Sequence, residues 1–168
     1  MDFEKDLMSF PYDVCWAKPE QWKPAMLMVW KTFMKFEAPD YTSEGIRHFF
    51  EFITDDDIHN AFLGGRYPVL LAMDGTEIVG VASLRNDNHL SLLFVDENYH
   101  HKGIGRMLIE LLCDYIGREL GEQYMTVRAA PYAVEFYKKC GFHAVREELE
   151  LGGIRITPME RSVSHEIS

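Results

Sequence analysis

Leu90–Ile116, LSLLFVDENYHHKGIGRMLIELLCDYI, decides how this chain is read. Leu90, Leu92, Leu93, Phe94 and Val95 form a near-continuous apolar run, the pattern of a strand covered on both faces. After Asp96-Glu97-Asn98-Tyr99 the period changes. From Ile104 the apolar residues Met107, Leu108, Leu111, Leu112, Tyr115 and Ile116 follow helical spacing. Gly103 and Gly105 therefore sit at a helix N-terminus, where unpaired N–H groups and the positive end of the helix dipole face an incoming ligand. Without side-chain bulk, both let it approach the backbone. Such a place suits phosphate, although Gly-x-Gly alone is equally a helix start or a packing contact. A nucleotide P-loop is disfavoured because no Gly-Lys-Ser/Thr follows. A dinucleotide fingerprint is disfavoured because its third glycine and its repeated βαβ halves are missing.

The segment 123–142 supplies independent support. Tyr124-Met125-Thr126-Val127 reads as a short strand that Arg128-Ala129-Ala130-Pro131 breaks, and Ala133, Phe136, Tyr137 and Cys140 recur at helical spacing. Gly141 ends that helix.

These two stretches carry a family resemblance. Strand, Val95-x-x-x-Tyr99, then x-x-Gly103-x-Gly105 opening a helix resembles the acetyl-CoA pyrophosphate motif of the GNAT superfamily of N-acetyltransferases, usually Gln/Arg-x-x-Gly-x-Gly/Ala. The string AVEFYKKCGF, Ala133–Phe142, is similar to that superfamily's Ala-x-x-Phe-Tyr-x-x-x-Gly-Phe signature. The two motifs in order are far more specific than either. There are departures: His100 stands where Gln or Arg is usual, His101 where Gly is common, and Arg128 where many relatives have Asn.

The resemblance implies a single-domain α/β fold with a mixed, mostly antiparallel twisted sheet flanked by helices and splayed central strands. It implies acetyl-CoA, with His100, His101, Lys102, Gly103, Ile104, Gly105 and Arg106 around the pyrophosphate. Its pantetheine arm enters the splay and pairs with the backbone of Phe94 and Val95, because splayed strands leave N–H and C=O groups that an amide chain can satisfy. Tyr137 corresponds to the general acid toward the departing thiolate, since a phenol with a pKa near ~10 is protonated at neutral pH. Arg128 is a candidate for a cofactor phosphate or a solvent-exposed arginine.

The general base is not evident. His89 and Ser91 share one strand face by period-2 alternation, so either can hold a water that removes the amine proton. The superfamily's two early helices usually wall the acceptor pocket, which makes Glu37 a candidate to bind a cationic amine, with Tyr41 and Trp30 lining the same pocket. For Trp30, core packing is the competing reading. No metal site is read: Asp55-Asp56-Asp57 has no second ligand cluster and suits a helix-capping acidic loop.

The chain has 168 residues and a formal net charge of −10. That length fits one domain with a substantial core. The acidic balance argues against nucleic acid or anionic membrane as a partner and favours amines. Cys15, Cys113 and Cys140 are odd in number and set in apolar patterns, as reduced thiols in a cytoplasmic protein would be. No run reaches 18 apolar residues, and MDFEKD is unlike a signal peptide.

The expected organisation is a flexible extension over 1–10, an acetyltransferase domain over 11–161 and a disordered tail over 162–168. Within the domain the expected order is β-α-α-β-β-β-α-β-α-β-β, with Asp74-Gly75 as a hairpin turn and 142–151 as one strand. The function so implied is direct transfer of an acetyl group from acetyl-CoA to the primary amine of a small molecule in a ternary complex. Acetylation of a protein or peptide amine is an alternative, as is a non-catalytic acyl-CoA-binding or sensor module, which would keep the glycine cradle without needing Tyr137. Oligomeric state is open, a homodimer included.

Overall fold

The apolar run at Leu90 becomes β4 (His89–Val95), the central strand of an eight-stranded sheet in the computed structural model, which describes residues 3–164. Before it lie α1 (Phe3–Ser9), β1 (Asp13–Trp16), α2 (Trp22–Phe36), α3 (Ser43–Ile53), α4 (Asp56–Leu63), β2 (Val69–Asp74) and β3 (Glu77–Arg85). After it come α5 (Ile104–Glu119), β5 (Tyr124–Ala129), α6 (Val134–Lys139), β6 (His143–Ala144), β7 (Leu149–Leu151) and β8 (Ile154–Ser162). The sheet order is β1-β2-β3-β4-β5-β8-β6, with β7 also paired to β8. The β4–β5 pair is parallel and the other pairs are antiparallel. This is the mixed α/β architecture expected from the sequence.

Each face of the sheet buries its own core. On one side Val29 and Phe33 of α2 pack with Leu71, Val81, Leu92 and Phe94. On the other, Leu108, Leu112 and Ile116 of α5 pack with Ala82, Leu84, Leu90, Met125 and Val127. The register between β3 and β4 shifts where Ser83 and Leu84 oppose Leu92 and Leu90, which makes Ser91 the extra residue of a bulge. A bulge reverses the side-chain alternation beyond it. Leu90 therefore faces α5, Leu92 and Phe94 face α2, and Leu93 and Val95 return to the α5 side.

Gly80 lets α5 approach the sheet. A Cβ there would lie 2.9 Å from Ile104 Cγ2 and 3.0 Å from Leu108 Cδ1. Gly80→Ala is expected to destabilise the protein by about 1–3 kcal/mol through overpacking, read as a lower denaturation midpoint. An unchanged midpoint would mean that α5 does not rest on β3 this closely.

Several expected boundaries differ. Phe3–Ser9, expected within a flexible extension, is helical but buries no residue. Asp55 caps an additional helix, α4, by accepting a hydrogen bond from the Asp57 N–H at 2.7 Å. The strand expected over 142–151 is interrupted, because Ala144 pairs with Met159 and Leu149 with Ile156, leaving two residues too many on one side. The last strand reaches Ser162, and the Val163 N–H bonds the Gln123 carbonyl, so the ordered chain passes the expected end at 161. Of the tail, residues 165–168 lie outside the described residues.

Candidate active site

The site begins where two neighbouring strands part. β4 and β5 pair at His89 with Thr126 and Leu90 with Val127, and diverge beyond. The Asp96 N–H donates to the Val79 carbonyl at 2.9 Å. Antiparallel alternation then directs the backbone groups of Phe94 to β3 and those of Leu93 and Val95 to the gap. Phe94 is thereby corrected as a backbone partner for a ligand in the splay; Leu93 takes its place. The Val95 carbonyl is already engaged by His100 Nε2 at 2.7 Å. His100, expected at the pyrophosphate, thus ties the loop to the end of β4, its ring also resting on Phe36.

The glycine turn follows. Gly103 is the N-cap of α5 at φ 80°, a left-handed conformation that only glycine adopts without cost, and a Cβ there would project into open space. The Met107 N–H bonds the Gly103 carbonyl at 3.0 Å, so the N–H groups of Ile104, Gly105 and Arg106 precede the first intrahelical bond. His101 is also left-handed, at φ 61°, the backbone reason a glycine suits this position. Arg106 Nε is buried with no hydrogen-bond partner among the described residues. An anionic diphosphate fits here: three free N–H groups, a helix dipole and an unpaired guanidinium nitrogen converge on a cavity of about 360 Å³. Lys102 is exposed and is not among the residues lining that cavity.

A second, smaller cavity of about 180 Å³ adjoins it, lined by Tyr41, Phe49, Leu90, Arg128, Ile154 and Ile156 among others. Glu37, Leu93, Ala133 and Tyr137 line both cavities and so mark their junction. The tip of the β7–β8 hairpin closes one wall. Its Gly153 carbonyl accepts from the N–H and hydroxyl of Thr42, the N-cap of α3, at 3.2 and 3.3 Å.

Tyr137 is buried edge-on against Phe136 and Phe142. Burial, then the nearby Glu37 charge, pushes its phenol well above the ordinary tyrosine value, so the hydroxyl stays protonated. Glu37 caps the C-terminal end of α2 and accepts hydrogen bonds from Tyr41, at a long 3.5 Å, and from Tyr132. Burial raises its carboxyl to about 7, against the smaller opposing effect of those bonds.

The structure does not bring the other candidate bases to this junction. His89 Nδ1 pairs with Thr126 Oγ1 at 2.8 Å where the strands still pair, and His89 lines neither cavity. Burial, with Arg128 and Arg85 nearby, holds its imidazole below the ordinary value. Ser91 lines the smaller cavity, but its hydroxyl bonds Tyr67, which also accepts from Ser83. Trp30 stacks on Phe33, meets Phe50 edge-on and lines neither cavity. Arg128 lines only the smaller cavity, away from the glycine turn, which does not fit a phosphate role. Tyr132 was not legible as a site residue; its one signal is a place beside Pro131, before the Ala133–Phe142 signature.

A family model for the acetyltransferase (GNAT) domain matches residues 37–163. Among solved structures, a GCN5-related N-acetyltransferase from Rhodopseudomonas palustris is similar at 26% identity and a TM-score of 0.76, covering 90% of this chain and 95% of that one. The PaiA N-acetyltransferase from Thermoplasma acidophilum, in complex with coenzyme A, is 17% identical with a TM-score of 0.72 over 90% of this chain and 98% of that one. A variant of the spermidine N-acetyltransferase SpeG from Vibrio cholerae is 15% identical with a TM-score of 0.64 over 90% and 95%. At those identities the latter two speak for the fold alone. No curated protein matches the chain. No helix among the described residues is long and apolar enough to cross a membrane.

Proposed function

The chain belongs to the GNAT acetyltransferase family, and from that premise we propose that it transfers the acetyl group of acetyl-CoA directly to the primary amine of a small molecule. The observation that carries the reading is the junction itself. A protonated phenol, Tyr137, and a carboxylate poised near neutrality, Glu37, both line the junction where a diphosphate cradle meets a smaller cavity.

When bound, acetyl-CoA supplies an activated acyl group on a thiol leaving group. The residues do the rest. The helix start at Ile104–Arg106 would hold the diphosphate, and the gap-facing Leu93 backbone with the Val95 N–H would hold the arm. Tyr137 donates a proton toward the sulfur, and Glu37 accepts one from the attacking amine. Holding both substrates in adjoining cavities makes the attack effectively intramolecular. Cysteine relay chemistry is disfavoured: Cys113 is buried and pushed up to about 12, and Cys140 up to about 11, both by burial, so neither is a ready thiolate.

The test is calorimetric titration with acetyl-CoA, followed by thiol release with a panel of small amines. Binding with amine-dependent release supports the reading; binding without release from any amine would favour a non-catalytic module. Gly103→Asp is expected to weaken acetyl-CoA binding by about tenfold or more, through a like charge in the cradle and a strained left-handed backbone. Unchanged affinity would overturn the cradle assignment.

A further inference from the structure

The smaller cavity holds two opposite charges that no ion pair joins. Glu37 and Arg128 both line it, and neither appears in any ion pair among the described residues. The Glu37 carboxylate has only phenol partners, and Arg128 sits exposed near the end of β5, its side chain making no hydrogen bond among the described residues. The remaining wall is mostly apolar, with Phe49, Leu93, Phe94, Ile154 and Ile156. From this juxtaposition we infer that the acceptor is a small amino-carboxylate with an apolar body, its amine at Glu37 and its carboxylate at Arg128. The inference rests on the acetyltransferase reading for its chemistry, but the carboxylate site stands on its own geometry.

Two physical arguments select this class. A guanidinium presents a planar fork that matches a carboxylate with two parallel hydrogen bonds, and an unpaired one on a pocket wall is an anion receptor. The same guanidinium repels the second ammonium of a diamine or polyamine. Such a substrate needs further carboxylates along its length, and among the described residues Glu37 is the only acidic one lining this cavity. The cavity's volume of about 180 Å³ suits a small acceptor. A zwitterion neutralises both pocket charges; a polyamine neutralises one and opposes the other.

Two matched pairs, leucine with 3-methylbutylamine and 5-aminopentanoate with butylamine, differ within each pair by one carboxylate; spermidine is the polycationic control. Each is titrated calorimetrically into the CoA-saturated protein and assayed for thiol release with acetyl-CoA. At least one amino-carboxylate is expected to bind and react about ten- to a hundredfold better than its carboxylate-free partner. In Arg128→Gln that ratio is expected to fall to near one, and in Arg128→Glu to invert. Ratios near one in the unaltered protein, a preference for spermidine, or a ratio that survives Arg128→Gln would each overturn the inference, while thiol release from any amine would keep acetyl transfer standing. Carboxylate-selective binding without thiol release would support the acceptor site and overturn the acetyltransferase reading instead.

Discussion

Tyr137→Phe is expected to lower turnover by about two to four orders of magnitude while leaving the dissociation constant for acetyl-CoA nearly unchanged. The substitution deletes one oxygen from a side chain whose ring is held edge-on by Phe136 and Phe142. The hydroxyl has no hydrogen-bond partner among the described residues, so its removal leaves no buried group stranded there and the packing is conserved. What is lost is a donor at the junction of the two cavities. Because burial and the Glu37 charge keep the phenol protonated, the donor is in its active form at any working pH, and its loss should scale kcat down without moving the pH profile. Single-turnover thiol release, with calorimetry on the same variant, separates the two quantities. An equal loss of turnover and affinity would assign Tyr137 to packing, and a loss of neither would remove it from the chemistry.

The sequence and the structure agree where the signal is local and periodic. The apolar run into β4, the helical spacing after Ile104 and the paired motifs around Gly103 and Tyr137 each declare an element and its position along the chain. The Asp74-Gly75 turn is local in the same way, since it is satisfied within a few residues. The residue proposed as base is not marked by any local pattern, because its place depends on distance in space. Glu37 leaves the end of α2, Tyr132 precedes α6, and Tyr137 lies in α6; only the parting of β4 and β5 brings them to one point. Period-2 alternation pointed to His89 and Ser91 as a pair, but the bulge at Ser91 breaks that alternation, and each already has a hydroxyl partner. Arg128 was legible as a departure from Asn, yet its side of the gap was not, because that depends on which face of β5 meets the β7–β8 hairpin.

Glu37→Gln is expected to lower kcat/KM by about two to four orders of magnitude and to remove an inflection near pH 7 from its pH profile. In the unaltered protein activity should rise with pH through that inflection, because only the ionised carboxylate accepts a proton. The groups facing Glu37 are the phenols of Tyr41, Tyr132 and Tyr137, with Asp40 nearby, Arg128 across the smaller cavity, and His100 and Arg106 in the larger. The three phenols stay neutral through this range, since burial raises each of them. The same burial ties function to stability. A carboxyl raised from 4.5 to about 7 on folding favours the folded state while protonated, and that contribution is lost as pH rises from about 4.5 through about 7. The loss is on the order of 3 kcal/mol. Glutamine carries no such titration, so Glu37→Gln should raise the denaturation midpoint relative to the parent at pH 8 and much less at pH 5. A variant that loses activity and whose gain in stability grows as pH rises from about 4.5 through about 7 would identify a base held at a stability cost. Lost activity with an unchanged pH profile, or a stability difference equal at both pH values, would return Glu37 to the wall of the pocket.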